Sequence, residues 1–159
     1  MGYWGHLVVA RSTRPLSVLR EVTAFGTPQD ERPIDHDWRL LRVAGSSPSL
    51  RAAVAPLVAA TGAPVLAAYV LDSDCAVVEG QTHIGMRWTG VLNRQIAARD
   101  YQAPVDDYDS PERAVLGAQE WSRQARLTPS EDLLRQAFTE ERDSAEEIFD
   151  LLLAGLGIG

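Results

Sequence analysis

The chain has 159 residues, of which 45% are hydrophobic and 23% charged, and its formal net charge at pH 7 is −7. These values predict one soluble globular domain, 1–159, that is long enough to bury a core. The chain has no lysine, which excludes Schiff-base catalysis by lysine and the lysine-containing phosphate loop. It has a single cysteine, which excludes an internal disulfide and a zinc site built from several thiolates.

Charge is divided unevenly along the chain. Residues 1–99 contain ten arginines and eight acidic residues, whereas residues 100–159 contain five arginines and fourteen acidic residues. Nucleic acids and anionic membranes are bound through clustered basic residues, so this balance argues against both as partners.

No segment is apolar over a membrane-spanning length, the first residues do not read as a secretory leader, and a lone cysteine suits a reducing compartment. We therefore expect a cytoplasmic protein.

Residues 1–44 predict two strands separated by a helix and a loop. The run GHLVVAR at 5–11 is rich in β-branched residues and predicts a strand. Apolar residues recur at three-residue spacing in 15–22, which predicts a short helix with one buried stripe. The proline-rich, charged segment 26–36 is typical of a surface loop, and the apolar run at 37–44 predicts the second strand.

A longer helix is predicted after this strand. Ser47 provides an N-cap, and Pro48 occupies the first helical position, where its missing N–H costs no hydrogen bond. Pro56 lies inside the helical pattern and should kink or divide the helix. Gly62 is suited to end it as a left-handed cap.

The next segment predicts three strands in a meander. The run VLAAYVL at 65–71 is apolar on both faces, as in a central strand, and DSD at 72–74 provides a turn. The segment CAVVEGQ at 75–81 forms the return strand, THIG at 82–85 turns the chain again, and MRWTGVL at 86–92 alternates in character. Such short connections imply antiparallel pairing.

The rest of the chain is predicted to be helical. Residues 93–100 predict a short helix, and the acidic segment 102–109 predicts a loop. Ser110 caps a helix with proline at its first position, and TPSE at 128–131 has the spacing of a capping box. Ser144 provides a further N-cap, so we expect two helices rather than one in the last thirty residues or so.

The predicted order is β-α-β-α-β-β-β followed by helices. This order is typical of an α+β fold, with a mixed or antiparallel sheet of about five strands covered by helices. We expect one domain, composed of a sheet-containing part at 1–100 and an acidic helical part at 101–159.

The stretch YVLDSDCAVVEG resembles a chemical site more than any other. Asp72, Asp74, Glu79 and His83 are the candidate catalytic residues, because two carboxylates beside an imidazole suffice for acid–base chemistry. The spacing does not match a calcium-binding EF-hand loop. Cys75 follows two carboxylates, which disfavour a thiolate, so a turn followed by a buried cysteine is the preferred interpretation. The aspartates gain a chemical role only if His83 or another basic group lies beside them.

Three histidines, His6, His36 and His83, occur without the short spacing of metal ligands. The sequence therefore predicts no metal and no cofactor.

Aromatic and apolar residues at the two ends of the chain are candidates for an interface. Tyr3 and Trp4, between glycines, could line a pocket or a contact surface. The C-terminal helix is apolar nearly all round, so Phe149, Leu152 and Leu156 could contact the sheet or a second copy of the chain.

Two functions remain open. The favoured one is a non-enzymatic protein that binds a protein partner or forms a homodimer, since no recognised catalytic motif is present. The alternative is a small enzyme or ligand-binding domain that uses carboxylates and a histidine near positions 72–83. A cavity of a few hundred cubic ångströms lined by those residues would favour the alternative, and a filled sheet–helix core with a flat apolar patch would favour the first.

Overall fold

The computed structural model describes residues 2–45 and 49–159, and its centre is an antiparallel β-sheet. The six strands in this part of the chain are β1 (Gly5–Arg11), β2 (Thr27–Asp35), β3 (Trp38–Ala44), β4 (Val65–Leu71), β5 (Cys75–Gln81) and β6 (Arg87–Leu92). They lie in the order β2-β3-β1-β4-β5-β6, and each neighbouring pair is antiparallel. The predicted α+β class is confirmed, with one strand more than the sequence predicts.

Five α-helices and three short 3-10 helices complete the fold within the described ranges. The α-helices are α1 (Leu50–Thr61), α2 (Arg94–Asp100), α3 (Pro111–Gln124), α4 (Glu131–Thr139) and α5 (Ala145–Leu156). The 3-10 helices are Leu16–Val18, Arg20–Ala24 and Val105–Asp107. Over the described ranges, no helix combines the length and the apolar character needed to cross a membrane.

Helices pack on both faces of the sheet, because alternate residues of the central strands are buried on opposite sides. Leu7 of β1 belongs to the larger core cluster, which Trp121 and other residues of α3, α4 and α5 cover. Its neighbour Val8 belongs to a second cluster with Leu41, covered by α1 and the N-terminal 3-10 helices. A third, smaller cluster around Cys75 is covered by α2.

The helix predicted at 15–22 is wrong in type. Residues 16–18 and 20–24 form two 3-10 helices instead of one α-helix. Apolar residues at strict three-residue spacing match the three residues per turn of a 3-10 helix better than the 3.6 of an α-helix.

The loop predicted at 26–36 is also wrong, since most of it is the edge strand β2. Its pairing with β3 shifts register between Pro28 and Asp30 and again between Pro33 and Asp35. An edge strand tolerates proline because one side of its backbone has no strand partner. The charges and prolines that suggest a loop are therefore features of a protected sheet edge.

Helix α1 confirms the predicted C-cap but not the predicted division. Gly62 has the left-handed conformation, with φ of 65°, and donates its N–H to Val58 O at 2.8 Å. The helix continues through Pro56, which is exposed, so the carbonyl left without a donor lies on the solvent side. The predicted cap Ser47 and first residue Pro48 lie outside the described residues; Ser49 caps α1 by accepting from Ala52 N.

The C-terminal helices begin at serine caps, and the prediction of two helices at the end of the chain is confirmed. Ser110 caps α3, with Pro111 at its first position, and Ser144 caps α5 by accepting from Glu147 N at 3.1 Å. The cap of α4 is Ser130 rather than the first residue of the predicted box, Thr128.

Candidate functional site

The turn between β4 and β5 anchors the first residues of the chain. Asp72 and Ser73 have φ of 51° and 58°, as the two central residues of a type I′ turn require. The Asp72 carboxylate accepts from Gly2 N at 2.7 Å. Ser73 exchanges two hydrogen bonds with Tyr3: its N donates to Tyr3 O at 2.9 Å, and its Oγ accepts from Tyr3 N at 2.7 Å. The polar residues of this turn therefore have structural partners.

Asp74 and Cys75 are likewise engaged in structure. The Asp74 carboxylate accepts from the Tyr101 hydroxyl, and this hydrogen bond raises the pKa of Tyr101 above its ordinary value. Asp74 O accepts from Asn93 Nδ2 at 2.7 Å. Cys75 is fully buried, and burial, assisted by the charge of Asp74, raises the pKa of its thiol to about 12. A thiol with this pKa stays protonated at neutral pH, so it is a poor nucleophile.

Glu79 is the buried partner of an ion pair with the exposed Arg87, on the opposite sheet face from α5. Its side chain accepts two hydrogen bonds from Arg87, at 2.7 and 2.8 Å, and one from Gln81 Nε2 at 2.9 Å. Both carboxylate oxygens are therefore occupied. Since Glu79 is only 3% exposed, this pairing compensates the cost of burying its charge.

The structure does not bring the four predicted catalytic residues together. His83 is exposed in the turn between β5 and β6, whereas Asp72 and Asp74 lie at the other end of β5. A seven-residue strand is about 20 Å long, so the imidazole and the aspartates cannot share a substrate. Among the described residues, no arginine or histidine forms an ion pair with either aspartate, so the condition for a chemical role of the turn is not met there.

The histidines also lie apart from one another. His6 is fully buried in β1 between the rings of Phe25 and Tyr69, and His36 is exposed next to β2. Burial lowers the pKa of His6 to about 4, although the Phe25 carbonyl acts in the opposite direction. Among the residues described, no group of three or more His, Cys, Asp and Glu side chains is arranged to hold a metal ion.

The predicted interface residues have different environments. Phe149, Leu152 and Leu156 are at most 1% exposed and belong to the protein's own core, so they present no surface to a second copy. Trp4 is 51% exposed, with its ring centroid 6.0 Å from that of Tyr101.

A cleft between the sheet and α5, which we call the α5 cleft, combines an apolar floor with charged walls. Its volume is about 280 Å³. The floor consists of side chains from the larger core cluster: Leu7, Leu40 and Phe149. The walls carry two arginines and three carboxylates that face this side of the sheet: Arg32, Arg42, Asp30, Glu146 and Asp150.

Antiparallel register and helical spacing place these charges. Asp30 and Arg32 are two residues apart on β2, so they share a face, and Asp30 lies directly opposite Arg42 of β3. Glu146 and Asp150 are four residues apart on α5 and so lie on one side of that helix. Sheet and helix therefore present opposed groups across the floor.

The electrostatics of the cleft involve both walls. Burial raises the pKa of Asp150, Arg32 acts to lower it, and the like charge of Glu146 raises it further. Arg42 Nη2 lies 4.0 Å from Glu146 Oε2, and its guanidinium lies over the Tyr3 ring at 4.2 Å. A carboxyl group with a raised pKa in a cleft is a feature of binding and catalytic sites.

Ser73 connects the turn between β4 and β5 to this cleft. Its hydroxyl donates to Glu146 Oε2 at 2.8 Å, and its carbonyl accepts from Ala145 N at 2.7 Å. Glu146 Oε1 is buried without a hydrogen-bond partner among the described residues. The β4–β5 turn thus holds the first helical turn of α5 in place, and with it the Glu146 carboxylate at the cleft.

The charged walls that the sheet contributes to the cleft are not signalled by the sequence. Arg32 and Asp30 lie in the segment interpreted as a loop, and no pattern signals that Arg42 faces α5 rather than solvent. A usable signal is the pair Glu146 and Asp150, two carboxylates at helical spacing on a helix whose remaining residues, apart from Glu147, are apolar.

The α5 cleft can hold a small molecule by charge and by apolar contact together. Its guanidinium groups suit a carboxylate, and its carboxylates suit an amine. Searches with the chain against protein-family models, curated proteins and solved structures found no match.

Proposed function

We propose that the protein binds a small molecule that carries both a positive and a negative group, in the α5 cleft. The observation that supports this most is the opposition of two arginines on the sheet, which Asp30 accompanies, and two carboxylates on α5 across an apolar floor. A volume of about 280 Å³ is at the lower end of ligand pockets, so an amino-acid-sized molecule is the appropriate scale.

The ligand would lie between the two walls. Its carboxylate would approach Arg32 and Arg42, its amine would approach Asp150, and its apolar part would contact Leu40 and Phe149. The amine would also lower the raised pKa of Asp150 by adding a positive charge beside it. We infer binding rather than catalysis, because the cysteine is buried and protonated and the predicted acid–base residues lie apart.

Protection of the sheet edges supports a ligand-binding role over self-association through the sheet. Edge strand β2 contains Pro28 and Pro33 and two irregularities in register. At the other edge, Thr89 N donates to Asp109 Oδ2 at 3.0 Å and Asp109 N donates to Thr89 Oγ1 at 2.8 Å, so a loop covers part of β6. Edges of this kind are poor templates for a further strand.

Backbone and methyl NMR titration with leucine tests the proposal. We expect saturable shifts at Leu7 and Leu40, and weaker binding in Arg32→Gln and Asp150→Asn by about tenfold each, the value of a charge-assisted hydrogen bond. Arg20→Gln is the matched control, since its side chain is 94% exposed and pairs with Glu21. Failure of leucine and of smaller and larger amino acids to shift these signals would contradict the proposal.

Trp4 supports a second candidate function, binding of a protein partner or of a second copy. An indole that is 51% exposed beside Tyr101 is a typical anchor of a protein interface. Sedimentation velocity between micromolar and millimolar concentrations checks self-association. If the second copy is the partner, we expect the wild-type protein to self-associate and Trp4→Ala to abolish this association. A wild-type protein that stays monomeric over the whole concentration range would contradict the homodimer hypothesis.

A further inference from the structure

A second cavity lies at the opposite end of the sheet from the Asp72–Asp74 turn, and we call it the basic cavity. Its volume is about 400 Å³, between the β5–β6 turn and the C-terminal ends of α1 and α3. Its walls contain one histidine and three arginines: His83, Arg11, Arg123 and Arg126. Among the described residues, no carboxylate lines it. This composition differs from the acidic balance of the whole chain.

Arg11 is held in place before any ligand arrives. Its Nη2 donates to Ala125 O at 2.9 Å, and its guanidinium lies over the Trp38 ring at 4.7 Å. Asp37 lies 3.3 Å from its Nε on the other side. A guanidinium fixed on three sides loses little side-chain entropy when it binds a further group.

Arg126 occupies a position that favours glycine. Its φ is 62°, and the hydrogen bonds from Leu127 N to Ser122 O, at 2.8 Å, and from Arg126 N to Arg123 O, at 3.0 Å, are those of a Schellman motif at the end of α3. The side chain of Arg126 makes no hydrogen bond or ion pair within the described part of the chain. The backbone strain of an arginine here is therefore not offset by any such contact of its own side chain.

Arg126 is the arginine of the cavity that forms no ion pair with a carboxylate in the described part of the chain. Asp37 compensates Arg11, and Glu120, 3.5 Å from Arg123, partly compensates that exposed side chain. The C-terminal ends of α1 and α3 add partial negative charge, equivalent to about half a charge each. Arg126 offsets these ends.

We propose that the basic cavity binds a phosphate-type oxyanion, such as the phosphate group of a small metabolite. Guanidinium groups bind such oxyanions through parallel charge-assisted hydrogen bonds, and Arg11, Arg123 and Arg126 come from two separate elements around one cavity. The site shares no residue with the α5 cleft, so it goes beyond the proposed function and its test is independent of that function.

An NMR titration with inorganic phosphate at constant ionic strength tests the site. We expect saturable shifts of the His83 and Ile84 amides with phosphate, weaker shifts with succinate and none with chloride. Equal binding of succinate would overturn the preference for phosphate. The absence of saturable shifts at these amides would overturn the site itself.

The variant Arg126→Gly separates a binding role from a structural one. Because glycine suits the left-handed position, we expect the melting temperature to rise while the affinity for phosphate falls about tenfold. Arg99→Gln, which removes a surface arginine paired with Asp100 at the other end of the sheet, should leave phosphate affinity unchanged. Wild-type affinity in Arg126→Gly would overturn the proposal.

Discussion

The Ser73 hydroxyl donates to Glu146 Oε2 at 2.8 Å, joining the β4–β5 turn to the first turn of α5. The same hydroxyl oxygen accepts from Tyr3 N at 2.7 Å, so one side chain holds the N-terminal segment and the C-terminal helix together. The stretch of sequence that most resembles a catalytic site is thus a structural support. Its connection to the α5 cleft is indirect, through the position of Glu146.

Replacing Ser73 with alanine should weaken the fold and the cleft together. The variant leaves Tyr3 N without its acceptor and Glu146 Oε2 without its donor, which should lower the free energy of unfolding by about 1–3 kcal/mol. Urea denaturation measures this change. Thr139→Ala is the control, because that exposed hydroxyl bonds only within its own helix. Equal stability of the two variants would show that the Ser73 hydrogen bonds contribute little.

His6 should make the protein less stable in acid. Its folded pKa of about 4 lies below the ordinary value of 6.5, so between these values the unfolded chain binds the proton and the folded protein does not. Stability is therefore lost as the pH falls from 6.5 towards 4, by about 3 kcal/mol in total.

Urea unfolding of wild type and His6→Phe at pH 7 and pH 4 isolates this contribution. The variant keeps an aromatic ring between Phe25 and Tyr69 but cannot titrate, so it should lose less stability than wild type over this interval. Parallel losses in the two proteins would mean that His6 is not the group responsible.

The Glu79–Arg87 pair should respond asymmetrically to substitution. Arg87→Met leaves the buried Glu79 carboxylate with Gln81 alone, and we expect a loss of about 2–3 kcal/mol, since Arg87 itself is 39% exposed. Glu79→Gln leaves an arginine that water can reach, so its cost should be about 1 kcal/mol. Chemical denaturation of both variants at pH 7 checks the order, and the reverse order would contradict this description of the pair.

Gly117 should resist replacement by alanine even though it lies inside α3. A Cβ at this position would lie 2.4 Å from Trp88 Cβ, so helix and sheet would have to separate. The clash should outweigh the gain of about 1 kcal/mol in helix propensity, for a net loss of about 1–3 kcal/mol. Thermal denaturation measures it, with Gln119→Ala in the same helix as control. A more stable Gly117→Ala protein would show that this packing is loose.

Local signals in the sequence were sufficient for most of the fold. The β4–β5–β6 meander and the caps Ser110 and Ser144 follow from turn chemistry and side-chain hydrogen bonding, which act over a few residues. Strand β2 was missed because its prolines and charges, which protect an edge, are also the composition of a loop. An edge strand differs from a loop in pairing with a neighbouring strand, and the local sequence pattern does not reveal that pairing.

The α5 cleft could not be predicted, because its walls come from distant parts of the chain. Asp30, Arg32 and Arg42 meet Glu146 and Asp150 only after the sheet has formed and α5 has packed on it. The sequence-based candidate instead grouped Asp72 and Asp74 with His83, which are near in sequence but lie at opposite ends of a strand. Proximity along an extended strand is a poor guide to proximity in space.

Comparison of leucine, leucinamide and N-acetyl-leucine in one NMR titration series tests the central claim most directly. Leucinamide lacks the carboxylate that Arg32 and Arg42 would bind, and N-acetyl-leucine lacks the amine that Asp150 would bind. The α5 cleft predicts that leucine shifts the Leu7 and Leu40 signals with the highest affinity and that both derivatives bind at least about tenfold more weakly. Equal effects of the three compounds, or shifts confined to other parts of the molecule, would contradict it.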